Sequence, residues 1–271
     1  MERVDGFKEL LVARDGRVLT ATLNRPETRN AITGRETVDE LCALSRLIAE
    51  DKSISVLVLT GADPAFSSGG NVKDMLRKEG MFSGDAPEIV DGYKSHVQRI
   101  PLAMESIEIP IICAVNGPAV GAGFDLTLMC DIRIASERGA FGETFLQVGL
   151  IPGDGGAWLL PKVVGMSKAC EMTFTGEVLD ADAALEAGLV SRVVPHEDLM
   201  QEALALATRI ADKPPRALRM SKKLLKMGTR MALPDFLEQC AYMQAQCHGS
   251  EDHMEALAAM KEKRKPVFQG K

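Results

Sequence analysis

Two apolar runs constrain this chain more than any other feature. "ISVLVLTG" (residues 54–61) and "PIICAVNG" (110–117) are continuous rather than alternating, and rich in β-branched residues. Alternation marks a strand with one wet face, so an unbroken run marks a strand covered on both faces. Each run leads into a loop of small residues, "AFSSGGNVKDM" (65–75) and "NGPAVGAGFDL" (116–126), and each loop leads into a helical pattern. Strand, glycine-bearing turn and helix repeat coarsely along the first 195 residues, with further strands at 18–24, in "DIRIAS" and at 188–195. Residues 35–50 carry Val38, Leu41, Cys42, Leu44 and Ile48 on one helical stripe, and residues 92–107 read as a single helix. The expected fold class is therefore α/β.

From residue 196 the character changes. "EDLMQEALALATRIADK", "PPRALRMSKKLLKMG", "LPDFLEQCAYMQAQCHG" and "SEDHMEALAAMKEKRK" read as successive helices separated by Pro, Gly or Ser. Residues 1–195 form an α/β core on this reading, and residues 196–271 form a helical region. Its apolar stripes must pack on that core or on another subunit.

Composition narrows the function. The net charge of −6 argues against nucleic acid and anionic membranes as partners. Aromatic residues make up only 4%, too few for base-stacking platforms. No apolar run reaches the roughly 18 residues that span a bilayer, and the N-terminus has no signal-peptide pattern. The six cysteines form no C-x-x-C pair and the four histidines show no ligand spacing, so no metal site is expected and a cytoplasmic location is.

The two small-residue loops could bring free N–H groups to one ligand oxygen as an oxyanion hole, or could merely permit tight packing. "GLIPGDGGAWLLP" (149–161) poses a similar choice. Its single acid, Asp154, could cap the helix that follows or could move a proton.

Six stretches together resemble the crotonase family, the enoyl-CoA hydratase/isomerase superfamily. They are "NRPETRNAIT", "AFSSGGNVKDM", "AVNGPAVGAGFDLTLMCDIRIAS", "FGETFLQVGLIPGDGGAWLLPKVVG", "TGEVLDADAALEAGLVSRVVP" and "KRKPVFQGK". The resemblance implies a spiral of ββα units, with a helical C-terminal region that completes a homotrimer, often paired into a hexamer. It implies an acyl-CoA thioester as substrate, with coenzyme A arriving as part of that substrate and no separate cofactor. The thioester oxygen would rest on the backbone N–H groups of Ser68 and Ala122. Ser67, Gly70 and Asn71 would lie against CoA, as would Arg25, Glu27 and Arg29 of the "NRPETRNA" turn. Phe268 and Lys271 match C-terminal residues that reach CoA, sometimes from a neighbouring subunit.

The carboxylates depart from the family pattern. Hydration is served in the family by two glutamates, whose matching positions here are Asp125 and Phe145. One is a shortened acid and the other is no acid. Asp154 lies in the turn where several family isomerases carry a proton-shuttling Asp, although theirs matches Gly153. The expected reaction is double-bond migration: Asp154, its pKa raised by apolar neighbours such as Phe145 and Trp158, takes a proton and returns it to another carbon. Two rivals stay open. One is a hydratase using Asp125 with Asp154 or Glu143, and the other is a CoA-thioester binder without chemistry.

Overall fold

A computed structural model describes residues 1–271. Ten strands run β1 (Glu2–Val4), β2 (Leu10–Asp15), β3 (Val18–Leu23), β4 (Val56–Gly61), β5 (Ile111–Val115), β6 (Pro118–Val120), β7 (Ile132–Ser136), β8 (Ala140–Gly142), β9 (Val178–Asp180) and β10 (Arg192–Val194). Eight helices accompany them: α1 (Arg35–Glu50), α2 (Val72–Arg77), α3 (Ala86–Ser95), α4 (Arg99–Ser106), α5 (Ala122–Leu128), α6 (Gly156–Val164), α7 (Met166–Thr175) and α8 (Ala181–Glu186). Four more follow the last strand: α9 (Leu199–Ala211), α10 (Pro215–Gly228), α11 (Leu233–His248) and α12 (Glu251–Glu262).

The large sheet has the order β1-β2-β3-β4-β5-β7-β10. Its first two pairings are antiparallel, and β3, β4, β5, β7 and β10 run parallel. Both apolar runs are central strands of this sheet, and every residue of β4 and β5 is buried. One face packs against α1 and α4, and the other against α9 through Leu199, Ala203, Ala207 and Ala211. Small residues on α9 let that helix lie close to the sheet. A second sheet, β6-β8-β9, stands beside the first.

The expected helix over residues 92–107 is two helices, α3 and α4, broken at His96–Gln98. Pro101 is the reason, since it has no N–H to donate and its ring crowds the carbonyl four residues back, so it fits only a first turn. The break matters for the site. The Gln98 side chain donates to the Gly153 carbonyl at 3.0 Å, and the His96 ring meets the Thr33 carbonyl at 2.9 Å.

Helix α10 is fastened to the core by charge. Lys222 is buried, 2.7 Å from Asp131 and 2.7 Å from the Ile109 carbonyl, and Asp131 also accepts the Ile111 N–H. No helix is long and apolar enough to cross a membrane.

Candidate active site

Backbone pairing stitches the two small-residue loops together. Ser67 and Ala119 form a parallel bridge, with Ser67 N–H on the Pro118 carbonyl and Val120 N–H on the Ser67 carbonyl, each at 3.1 Å. Gly69, at φ 75°, passes so close that a Cβ would lie 2.9 Å from the Ala122 nitrogen. Glycine is needed there on both counts. The approach places Ser68 and Gly70 beside Gly121 and Ala122 on the wall of one cavity of about 120 Å³. Thr33, Met81, Phe82, Tyr93, Val97, Phe145 and Asp154 complete much of that wall.

Ala122 is the first residue of α5, so its N–H has no partner within the helix, and it finds none elsewhere in the protein. Ser68 differs from expectation. Its N–H donates to the Arg29 carbonyl at 2.8 Å and its hydroxyl to the Thr28 carbonyl at 2.9 Å. Arg29 and Asn30 both have left-handed backbone (φ 52° and 57°), and that turn directs the Arg29 carbonyl onto the loop. One of the two expected donors is therefore free and the other is engaged.

Asp154 is buried at the cavity wall and does not cap α6. Gly155 holds the N-cap position, with no side-chain cap, and Asp154 Oδ1 has no hydrogen-bond partner. Of the two roles open to this acid, the helix has no use for the first. Burial pushes its pKa up to about 6. Its charge in turn raises the Tyr93 phenol, after the larger effect of that phenol's own burial.

Asp125 and Glu143 are not on the cavity wall. They lie behind it, 0% and 1% exposed, with oxygens of both carboxyls converging on Gly156 at the start of α6. Asp125 Oδ2 accepts the Gly156 N–H at 2.9 Å, whereas Asp125 Oδ1 and both Glu143 oxygens lack any donor. Burial, then the Glu143 and Asp154 charges, push Asp125 well above the usual carboxyl range. Burial chiefly brings Glu143 to about 7.

Several expected contacts fall elsewhere. Trp158 is half-exposed on α6 and away from the cavity, with Lys162 Nζ 2.7 Å from its ring centre and Arg230 beyond, so it does not raise the Asp154 pKa. Helical spacing would put residues four apart on one face, but Asp154 precedes α6, and the left-handed Gly155 (φ 112°) between them leaves Trp158 outward and Asp154 on the cavity wall. Ser67 is fully buried, donating to the Asn30 carbonyl and accepting from Gly69 N–H, which shapes the loop rather than offering a surface to CoA. Asn71 caps α2 through its side chain. Arg25 is paired with Glu9 and Glu27, while Arg29 is exposed without an ion pair. Phe268 lines a groove with Gly16, Arg17 and Leu204, and the Lys271 carbonyl accepts from Asp252, so within one chain neither joins the cavity.

Sequence reasoning missed Tyr93, Gln98 and Gly156. Gly156 had a signal, as the last glycine of "GDGG" at a helix start, where close approach is the usual reason. Tyr93 and Gln98 had none, because the break in the helix decides which way they face.

Two glycine-stitched loops thus bring a free helix-start N–H and one buried carboxyl, Asp154, to the wall of the same cavity. The family model described as "Enoyl-CoA hydratase/isomerase" matches residues 13–271. The chain belongs to the enoyl-CoA hydratase/isomerase family. It is an acyl-CoA enzyme of that family. It is 36% identical to a "2,3-dehydroadipyl-CoA hydratase" of Escherichia coli over 98% of this chain and 100% of that protein. It is 35% identical to a "Probable enoyl-CoA hydratase, mitochondrial" of Dictyostelium discoideum over 95% of this chain and 90% of that protein. The crystal structure of an enoyl-CoA hydratase from Bacillus anthracis superposes with a TM-score of 0.91 at 30% identity, covering 97% of this chain and 100% of that one. The fold is therefore the crotonase fold that the sequence resembled.

Proposed function

We propose that this chain hydrates a 2-enoyl-CoA thioester, with Asp154 as the group that moves the proton. The observation that carries the assignment is Asp154 itself: a buried carboxyl with an unpartnered oxygen, on the same cavity wall as the unpaired Ala122 N–H. The thioester oxygen would sit on the Ala122 N–H, and the Ser68 N–H would exchange the Arg29 carbonyl for it. Asp154, ionised at neutral pH, takes a proton from water as the water oxygen bonds to Cβ. The electron pair of the double bond moves to the thioester oxygen as an enolate. The enolate then collapses, and Cα takes the proton back from Asp154. One carboxyl serves both halves, and each oxyanion donor contributes about 100- to 1000-fold.

The relatives named above are hydratases by name, and this favours hydration over the double-bond migration expected from the sequence. Migration stands as the second reading because of Phe145, which puts an apolar ring on the cavity wall where the family resemblance implies an acid. In both readings CoA is part of the substrate and no further cofactor is required. Homotrimers, singly or in pairs, would cover the exposed Leu233, Leu237, Tyr242, Met254, Leu257 and Met260 of α11 and α12. Six free cysteines fit a reducing compartment such as the cytoplasm.

The test is incubation in D₂O with a 2-enoyl-CoA and separately with a 3-enoyl-CoA, read by mass spectrometry. Gain of one D₂O by the first supports hydration. Conversion of the second to its 2-enoyl isomer, with the first unchanged, replaces hydration by migration.

A further inference from the structure

One imidazole stands at the roots of both small-residue loops. The first loop leaves β4 at Gly61, the second leaves β5 at Val115, and His196 comes two residues after the end of β10. Its Nε2 lies 3.1 Å from Asp63 Oδ2, and its Nδ1 lies 3.1 Å from the Asn116 carbonyl oxygen. The buried Asn116 side chain ties the same roots a second time, accepting the Gly61 N–H at 3.2 Å and donating to Asp63 Oδ1 at 2.9 Å. From there the loops run side by side to their tips. A Cβ on Gly117 would meet the Pro64 carbonyl oxygen at 2.6 Å, Ser67 bridges Ala119, and Gly69 crowds the Ala122 nitrogen. The ring is thus joined, contact by contact, to the Ala122 N–H.

Both partners of the ring are acceptors. The Asn116 amide chiefly, with the ring after it, holds the Asp63 carboxyl below its usual range, so it stays ionised. A neutral imidazole carries one N–H and makes only one of the two bonds, whereas the imidazolium makes both. We propose that His196 is a positioning residue, which in its imidazolium form clamps the roots of both loops and so fixes where the Ala122 N–H meets the thioester oxygen. This rests on the reading of the Ala122 N–H as a donor to that oxygen, whichever reaction follows. Loss of one ring proton opens the clamp on one side. The Ser136 hydroxyl also donates to the Asn116 carbonyl, at 2.9 Å, so the second root shifts rather than comes free. Asp63 is the acid that faces the ring, and Arg138, from the turn between β7 and β8, acts on Asp63. Glu137 of that turn pairs its N–H with the Val194 carbonyl, and Glu197 and Asp198 follow in the ring's own turn.

The test is ¹³C NMR of the whole protein holding butyryl-CoA labelled at its carbonyl carbon, a saturated probe that neither hydrates nor isomerises. A hydrogen-bonded carbonyl resonates downfield, so its shift reads the oxyanion contact directly. The His196 Hε1 signal, assigned by its loss in His196→Phe, gives the ring's own titration midpoint in the same samples. In the parent, the downfield shift is expected to shrink as pH rises through that midpoint. In His196→Phe it is expected to be smaller throughout and to lose that transition, while any step due to Asp154 persists. The kcat of this variant is expected to fall about 10-fold, since a misplacement of about 1 Å can cost about 100-fold. Asp63 is exposed, so Asp63→Asn should fold even where His196→Phe does not. There the carbonyl transition is expected to follow the ring to its new midpoint. A carbonyl shift that ignores the ring's titration in the parent overturns the proposal, as does one unchanged in His196→Phe. No shift on binding, or no binding, sinks the oxyanion reading and takes the proposal with it. A normal, ring-dependent shift in a protein that fails to hydrate 2-enoyl-CoA would sink the hydration reading alone.

Discussion

Asp125 Oδ2 accepts the Gly156 N–H at 2.9 Å, and this bond joins the first turn of α5 to the first turn of α6, two residues after Asp154. The space above the Gly156 Cα is filled by oxygens of Asp125 and Glu143, well inside van der Waals contact with any added carbon. In an open helix, Gly→Ala stabilises by about 1 kcal/mol. Overpacking costs about 1–3 kcal/mol and here pushes two carboxyls apart, so the steric effect wins. Gly156→Ala is expected to lower the denaturant midpoint and to reduce kcat more than it raises KM. A variant as stable and active as the parent would show that the contact yields freely.

The free cation of the "NRPETRNA" turn is Arg29, since Arg25 is already held by Glu9 and Glu27. A charge-assisted contact is worth about 1.5–3 kcal/mol, or roughly 10- to 100-fold in binding. Arg29→Ala is expected to raise KM for the CoA thioester by about 10-fold with kcat little changed. Steady-state kinetics on the CoA thioester and on a truncated pantetheine thioester would check this, because the truncated substrate should not distinguish the two proteins.

Lys222 and Asp131 tie α10 to the parallel sheet across a 2.7 Å contact in which the ammonium is buried and the carboxylate reaches the surface. Removing one partner of such a pair leaves a stranded charge and costs about 3–5 kcal/mol. Asp131→Ala also strips an acceptor from the Ile111 N–H. The expected result is a loss of about 3 kcal/mol or more by chemical denaturation, and looser packing of α10 seen as faster amide exchange. Lys222→Met, which removes the charge but keeps the length, is expected to cost less.

The parallel core was legible because burial on both faces leaves an unmistakable trace: β4 and β5 lie almost where their apolar runs lie. Short strands such as β1, β6, β8 and β9, three residues each, carry too little pattern to be seen. The site was legible where glycine spacing forced close approach, as at Gly69. Side-chain direction was not. Trp158 and Asp154 are four residues apart in one turn, and only the φ of 112° at Gly155 decides that one faces solvent and the other the cavity. Nor could sequence show that the Ser68 N–H is spent on the Arg29 carbonyl, a bond made across 39 residues.

Asp154 should make stability and activity respond to pH in opposite directions. Its folded-state pKa of about 6 lies above the unfolded value of about 4. A carboxyl raised by folding binds its proton more tightly in the native state, so its contribution is most favourable below pH 4. That contribution is lost as pH climbs from about 4 to about 6, and is constant above. Two pH units correspond to about 2–3 kcal/mol. Asp154→Asn removes this penalty, so the variant is expected to be more stable than the parent at pH 8, with the advantage shrinking toward pH 4. Activity runs the other way, because the base must be ionised to take the proton from water. For the parent, kcat/KM is expected to fall as pH drops through about 6, and Asp154→Asn should lose about 100- to 10,000-fold at pH 8. Denaturant midpoints of both proteins at pH 4, 6 and 8, set beside the kcat/KM profile, measure the two trends together. A stability difference that does not change with pH would mean that Asp154 is ionised as easily in the folded chain as in the unfolded one, and the proton-carrier role would fall with it.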